Sequence, residues 1–245
     1  MTDLPIERID KHEIKTAILV DGGFYKTRAQ YLWGTKTPAE RAEELRNYCF
    51  SLLWSKYEKR NLYRIFYYDC PPSSKKVYHP LLDKTTDLGK TDVYKWQTMF
   101  LNELRSKRKF ALRLGELSDE ATRYMMNYDS MKSLLRGTTQ VGDLAEKDFR
   151  LDIVQKGVDM RIGVDITYLA LKKQVDQIIL ISGDSDFVPA AKLARREGID
   201  MILAPMGATI KDNLHEHIDG LANKTVLPSH KQQTATGTDP LEPTC

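Results

Sequence analysis

IILISGDSDF, residues 178–187, is an unbroken apolar run that stops at Ser182-Gly183 and ends on two aspartates one residue apart. Its composition is that of a strand, and the chain from Phe187 onward reads as the start of a helix. A strand feeding a helix in this way belongs to an α/β sheet. Asp184 and Asp186 would then stand at the carboxyl end of a buried strand, where open α/β sheets bind ligands. AILVDGGF at 17–24 repeats the pattern, an apolar run that stops at Asp21. A third acidic element, KGVDMRIGVD at 156–165, supplies Asp159 and Asp165. Carboxylates gathered at one sheet edge repel each other unless a cation sits between them. A divalent-metal site is therefore the leading expectation.

The surrounding pattern supports a parallel sheet. Strands are expected at 16–21, 62–69 (LYRIFYYD, stopped by Pro71-Pro72), 110–116, 176–182 and 199–203. Helices are expected at 38–60, 92–107, 158–174, 187–197 and near 209–217, with Pro38 and Pro189 placed for first helical turns and Gly198 for a C-terminal cap. Strand alternating with helix predicts α/β architecture, a parallel sheet of about four to six strands with helices on both faces. Strands 16–21 and 176–182 should be adjacent and central, since that unites Asp21 with Asp184. Residues 70–90 read as a loop. Residues 117–150 form a polar excursion, with a short helix in MMNYDSMKSLL, that overlies one sheet edge and offers a surface for a protein partner or a second copy. The chain divides into a polar lead-in at 1–15, one domain at 16–225 and a Pro/Thr-rich tail at 226–245.

Bulk properties exclude several classes. The chain has 245 residues, 41% of them hydrophobic and 29% charged, which is ordinary for a soluble globular protein. No apolar run approaches the roughly 18 residues of a membrane span, and the charged amino terminus lacks a secretory core. Cys49, Cys70 and Cys245 are too scattered for a disulfide framework or zinc knuckle, so a reducing cytoplasm fits best. The net charge of +3 decides little. Its distribution is more telling, because Lys56, Lys59, Arg60 and Arg64 cluster near Tyr57 and Tyr63, and Arg105, Lys107, Arg108 and Lys109 adjoin Phe110. Cations beside aromatics suit a phosphate backbone with stackable bases, although such runs are also ordinary solvated faces. A helix that ends just before a strand starts, as at 105–109, tends to lie at the sheet edge opposite the site.

Each aspartate also has a purely structural explanation. One of Asp184 and Asp186 is explained by capping the next helix, but capping needs a single acceptor, and two within three residues ask for more. Asp21-Gly22 is a common turn dipeptide. Asp159 fits the N-cap of helix 158–174. Asp165, six residues on, does not fully share its face. Among Ile162, Val164 and Ile166, Asp165 needs a partner such as Lys156 or a backbone group. Other signals fail. GKT at 89–91 lacks the glycine a phosphate loop requires, since Lys84 is there, and His215 and His217 diverge on a helix. No serine–histidine or cysteine–histidine pairing is supported.

VDGGF, KGVD followed by Asp165, and SGDSDF, with their strand–helix spacing, resemble the NYN domains of the LabA-like group, relatives of PIN-domain nucleases in the flap-endonuclease-like superfamily. The resemblance spans roughly residues 15–205. It implies a Rossmann-like parallel sheet of the PIN type and Mg²⁺- or Mn²⁺-dependent cleavage of RNA. The family's acidic positions fall on Asp21, Asp159, Asp184, Asp186 and Asp165. One departure stands out: many relatives carry an asparagine two or three residues after the first aspartate, where this chain has Gly23-Phe24.

The expected function is a metal-dependent ribonuclease acting on single-stranded RNA. Asp21, Asp159, Asp184 and Asp186 are its catalytic and metal-holding residues, with Asp165 as a further ligand. Lys59, Arg60, Arg105, Lys107 and Arg108 are the candidate RNA contacts. Two alternatives stand beside it. One is a nucleic-acid-binding or regulatory module with a weak or vestigial site. The other is a haloacid-dehalogenase-like phosphatase, which needs an aspartate where Gly23 stands.

Overall fold

The computed structural model describes residues 13–55, 58–118 and 122–226. The lead-in expected at 1–15 and the tail expected at 226–245 fall almost wholly outside them. The core strand is β1 (Glu13–Asp21), whose residues Ala17 to Val20 are completely buried. Ala17 and Leu19 enter the hydrophobic layer on one face, Ile18 and Val20 that on the other. A strand covered on both faces has no polar side to show, so AILV reads as continuous apolar sequence. Of these side chains, Ile18, Leu19 and Val20 each contribute about 1.5–3 kcal/mol by leaving water.

Five further strands join it: β2 (Lys59–Asp69), β3 (Phe110–Leu114), β4 (Gln177–Ile181), β5 (Asp200–Leu203) and β6 (Gly220–Leu221). The order is β6-β5-β4-β1-β2-β3, with every pair parallel. On one face lie α1 (Gly22–Trp33), α2 (Pro38–Leu53) and α3 (Asp92–Ser106). After the excursion helix α4 (Tyr128–Leu135) come α5 (Val158–Leu171), α6 (Val188–Arg196) and the short α7 (Asp212–His215), which cover the other face. The winding reverses between β1 and β4, the adjacent central pair expected from sequence, and such a reversal opens a crevice at the carboxyl ends of the two strands. Val20 pairs with Ile181, so Asp21 and Ser182 leave the sheet side by side.

Local chemistry sets the helix starts. Thr37 and Glu40 form a reciprocal cap around Pro38 at the head of α2. Helix α1, absent from the elements expected from sequence, is capped by Asp21, whose carboxylate accepts from the Phe24 N–H. Its glycines imitate a turn for a packing reason: a Cβ on Gly22 would lie 2.5 Å from the Tyr68 carbonyl oxygen. Three more expectations are corrected. The 70–90 loop holds a hairpin, Lys76–His79 with Lys84–Asp87. Helices α2 and α5 end earlier than expected, at Leu53 and Leu171.

The excursion is an arm. Arg123–Met126 pairs antiparallel with Phe149–Asp152, and α4 lies between them with none of its residues buried. Buried His79 packs its ring 4.3 Å from Tyr124 and 5.2 Å from Phe149, which ties the arm to the hairpin. The arm leaves β3 at the carboxyl edge, where the Gly115 N–H donates to the Asp69 carbonyl at 2.8 Å. No helix among the described residues is long and apolar enough to cross a membrane.

Candidate active site

Half-buried Asp21 stands at the seam between β1 and β4. Its Oδ1 accepts from Phe24 N–H at 3.1 Å and its Oδ2 from the Ser182 hydroxyl at 3.2 Å. Ser182, fully buried, also accepts from the Asp184 N–H at 3.2 Å, so one hydroxyl bridges two acidic positions. Asp184 in turn caps the turn Ser185–Phe187 by accepting from the Asp186 N–H at 3.1 Å. Asp159 lies in the first turn of α5 rather than at its N-cap. That place belongs to Gly157, whose φ of 77° suits glycine.

The electrostatics join these residues. Burial raises the Asp21 carboxyl above its ordinary value, with the charges of Asp159 and Asp69 adding to it, while the Phe24 and Ser182 hydrogen bonds oppose it. Desolvation raises Asp159 too, reinforced by Asp184 and Asp186. Asp21, Asp159, Asp184 and Asp186 thus share one neighbourhood, and among the described residues none forms an ion pair. Perturbed carboxylates in a crevice are a mark of functional sites.

Asp165 has a different setting. It takes Arg113 Nε at 3.0 Å and the Tyr68 hydroxyl at 2.7 Å, partners that replace the expected Lys156. A further acidic residue, Asp69, was not singled out in the sequence. It ends β2 as Asp21 ends β1, and LYRIFYYD carries the same signal of an apolar run closing on aspartate. Asp69 is 1% exposed. It is held by Lys26 Nζ at 2.7 Å, the Tyr67 hydroxyl at 2.9 Å and the Cys70 N–H at 2.8 Å.

The structure does not bring the sequence-selected cations to this edge. Lys59 opens β2 and pairs with Glu13, while Arg60 pairs with Glu58 and reaches the Leu52 carbonyl. Arg105 meets Asn102, Lys107 pairs with Glu43, and exposed Arg108 follows just before β3. Lys59 and Arg60 open β2 at the amino edge, about 30 Å along the strand from Asp69, whereas Arg105, Lys107 and Arg108 precede the five-residue β3, about 15 Å along the strand from its carboxyl end. Arg161 and Lys26 lie nearer the site, where their charges reach the Cys70 thiol. Lys211 Nζ sits 3.3 Å from Ser185 Oγ. His215 is exposed and His217 half-buried.

The asparagine missing after Asp21 is replaced by a ring. Phe24 packs so closely on Gly183 that a Cβ there would be 2.9 Å from Phe24 Cε2. An oxygen-only donor set with uncompensated negative charge matches what Mg²⁺ and Mn²⁺ select. Among the described residues no three ligand-type side chains converge on one point. A hard cation that retains part of its hydration shell remains compatible with such carboxylates.

A doubly wound parallel sheet with an acidic carboxyl edge defines a PIN-like α/β domain of nuclease type. Residues 15–219 match the NYN domain, and the chain belongs to that family. Among solved structures, it is similar to VPA0982, a protein of unknown function from Vibrio parahaemolyticus, at 17% identity over 89% of this chain and 98% of that one, with a TM-score of 0.46. No curated protein matches the chain.

Proposed function

We propose that this NYN protein is a divalent-metal-dependent ribonuclease that hydrolyses phosphodiesters in single-stranded RNA in the reducing cytoplasm. The observation that carries the proposal is the gathering of Asp21, Asp159, Asp184 and Asp186 without cationic partners among the described residues at the crevice between β1 and β4. These four would hold the ion in part through waters of its hydration shell, and when bound it supplies Lewis acidity for water activation and neutralises charge on the leaving oxygen. Asp21 and Asp184 are kept in register by the Ser182 hydroxyl, which donates to one and accepts from the backbone of the other. Asp159 brings its charge from α5, across the crevice. A recessed acidic edge admits one strand more readily than a rigid duplex. Asp165, paired with Arg113, supports the fold beneath the site.

Cleavage of labelled RNA with Mn²⁺ by wild type and Asp184→Asn tests this. The expected loss in the variant is about 100-fold or more, the scale of removing one preorganised electrostatic group. Equal rates would remove Asp184 from the chemistry. Phe24, standing where relatives place an asparagine, favours a second reading, an RNA-binding module with little turnover. RNA binding without cleavage in Mg²⁺ or Mn²⁺ would establish it.

A further inference from the structure

One side of α1 borders the segments that follow β4 and β5. Phe24, Arg28 and Tyr31 recur at intervals of four and three residues, which places them in one row on the helix. Phe24 packs against Gly183, just past β4, where a Cβ would lie 2.9 Å from its ring. One turn further, Arg28 donates from Nε at 3.2 Å and from Nη2 at 2.7 Å to the Met206 carbonyl, just past β5. Its guanidinium also lies 5.0 Å from the centroid of the Tyr31 ring. The row therefore starts at the crevice mouth and leads away from it, with Tyr31 on the order of 15 Å from Asp21 along the helix.

Tyr31 is 77% exposed, so its ring stays open to solvent while the guanidinium braces it. Arg28 is fastened by a carbonyl and a ring, and among the described residues it has no carboxylate partner. A cation left uncompensated beside an open aromatic ring suits a single nucleic-acid strand, whose bases stack on the ring and whose phosphates meet the charge. We propose that a single RNA strand leaves the crevice along this face of α1 and stacks a base on Tyr31, with Arg28 bracing the ring and supplying charge to the neighbouring phosphate. The inference rests on RNA being the ligand of the crevice, and it holds whether or not the strand is cut. The brace is already formed without ligand, so little ordering is left for binding to impose.

The test is filter binding by the full-length chain, without divalent metal, of a labelled oligouridylate and of an abasic strand of equal length. Tyr31→Ala should weaken oligouridylate binding about 5- to 100-fold, the loss of one stacked base, and leave the salt slope unchanged. The abasic strand should bind wild type and Tyr31→Ala alike. Tyr31→Leu, which keeps apolar bulk without a π face, should show the same loss, and Tyr31→Trp should keep wild-type affinity. Trp54→Ala removes another open ring, 74% exposed at the end of α2 with Lys224 Nζ 5.9 Å from its centroid, and should bind as wild type. Wild-type affinity in Tyr31→Ala or Tyr31→Leu would overturn the proposal, as would an equal loss on the abasic strand. Failure of wild type to bind the oligouridylate would instead bring down the RNA reading beneath it.

Discussion

The Ser182 hydroxyl lies 3.2 Å from the Asp21 carboxylate, across the seam where the sheet reverses its winding. Because the same oxygen accepts from the Asp184 N–H, a single buried serine sets the spacing between the ends of β1 and β4. Positioning groups of this kind, outside the carboxylates themselves, commonly govern metal affinity. Ser182→Ala should therefore weaken Mn²⁺ binding and cleavage about 10-fold or more. It should also cost about 1–2 kcal/mol in urea unfolding for the hydrogen bonds lost. Unchanged metal affinity in the folded variant would reduce Ser182 to a strand end.

The raised carboxyls give a pH signature with a definite sign. Asp21 and Asp159 both lie above their ordinary value of 3.8 in the folded chain, so over that range the folded state binds more protons than the unfolded one. Stability contributed by these groups falls as pH rises, because ionisation leaves repelling, desolvated charges. Glu40 and Glu43, lowered chiefly by hydrogen bonds from Thr37 and Lys107, pull the opposite way. The comparison must therefore be differential. The melting temperature of Asp21→Asn/Asp159→Asn minus that of wild type, without metal, should be larger near pH 7 than near pH 4. Saturating Mn²⁺ should reverse the advantage at pH 7, because only wild type retains both ligands. A difference independent of pH would show that the two carboxylates do not repel.

Two adjacent glycines should respond oppositely to alanine. At Gly22 the new Cβ would lie 2.5 Å from the Tyr68 carbonyl and 2.6 Å from the Tyr67 hydroxyl, so α1 must shift off β2. Overpacking of this kind costs about 1–3 kcal/mol, and cleavage should fall with it as Asp21 moves. At Gly23 the nearest atom would be Asp21 Oδ1 at 3.5 Å, an ordinary contact. Gly23→Ala should gain up to about 1 kcal/mol from helix propensity alone. Thermal melts of the two variants decide.

These glycines also explain what the sequence could and could not disclose. Strands β1 and β4 were plain because burial on both faces removes every polar position from 17–20 and 178–181. Helix α1 was hidden because close contact with Tyr68 demands glycine at its first residue, and Gly-Gly after aspartate reads as a turn. Asp69 carried the same signal as Asp21, but its meaning depends on Lys26, which meets it only through the packing of α1 on β2. Ser182 looked like a simple strand breaker because its two partners lie on different segments. The basic clusters stand apart from the carboxylates for a topological reason: residues just before a strand lie toward the sheet edge opposite those at its end.

That displacement leads to the last prediction. RNA held at the acidic crevice needs positive charge nearby, since carboxylates alone repel phosphate. Arg161 stands in the first turns of α5, exposed and two residues beyond Asp159, whereas Lys107 and Arg108 follow α3 at the start of β3. Arg161→Ala should lower the salt dependence of single-strand binding by about 0.7 in the log–log slope, the contribution of one phosphate contact. Arg105→Glu/Arg108→Glu should leave both slope and affinity near wild type, because those side chains face solvent at the amino edge. Filter binding of labelled RNA across a salt series, without divalent metal to prevent cleavage, measures both. The reverse result, with Arg161→Ala silent and the charge reversal weakening binding, would place the RNA track along the amino edge and separate it from the acidic crevice.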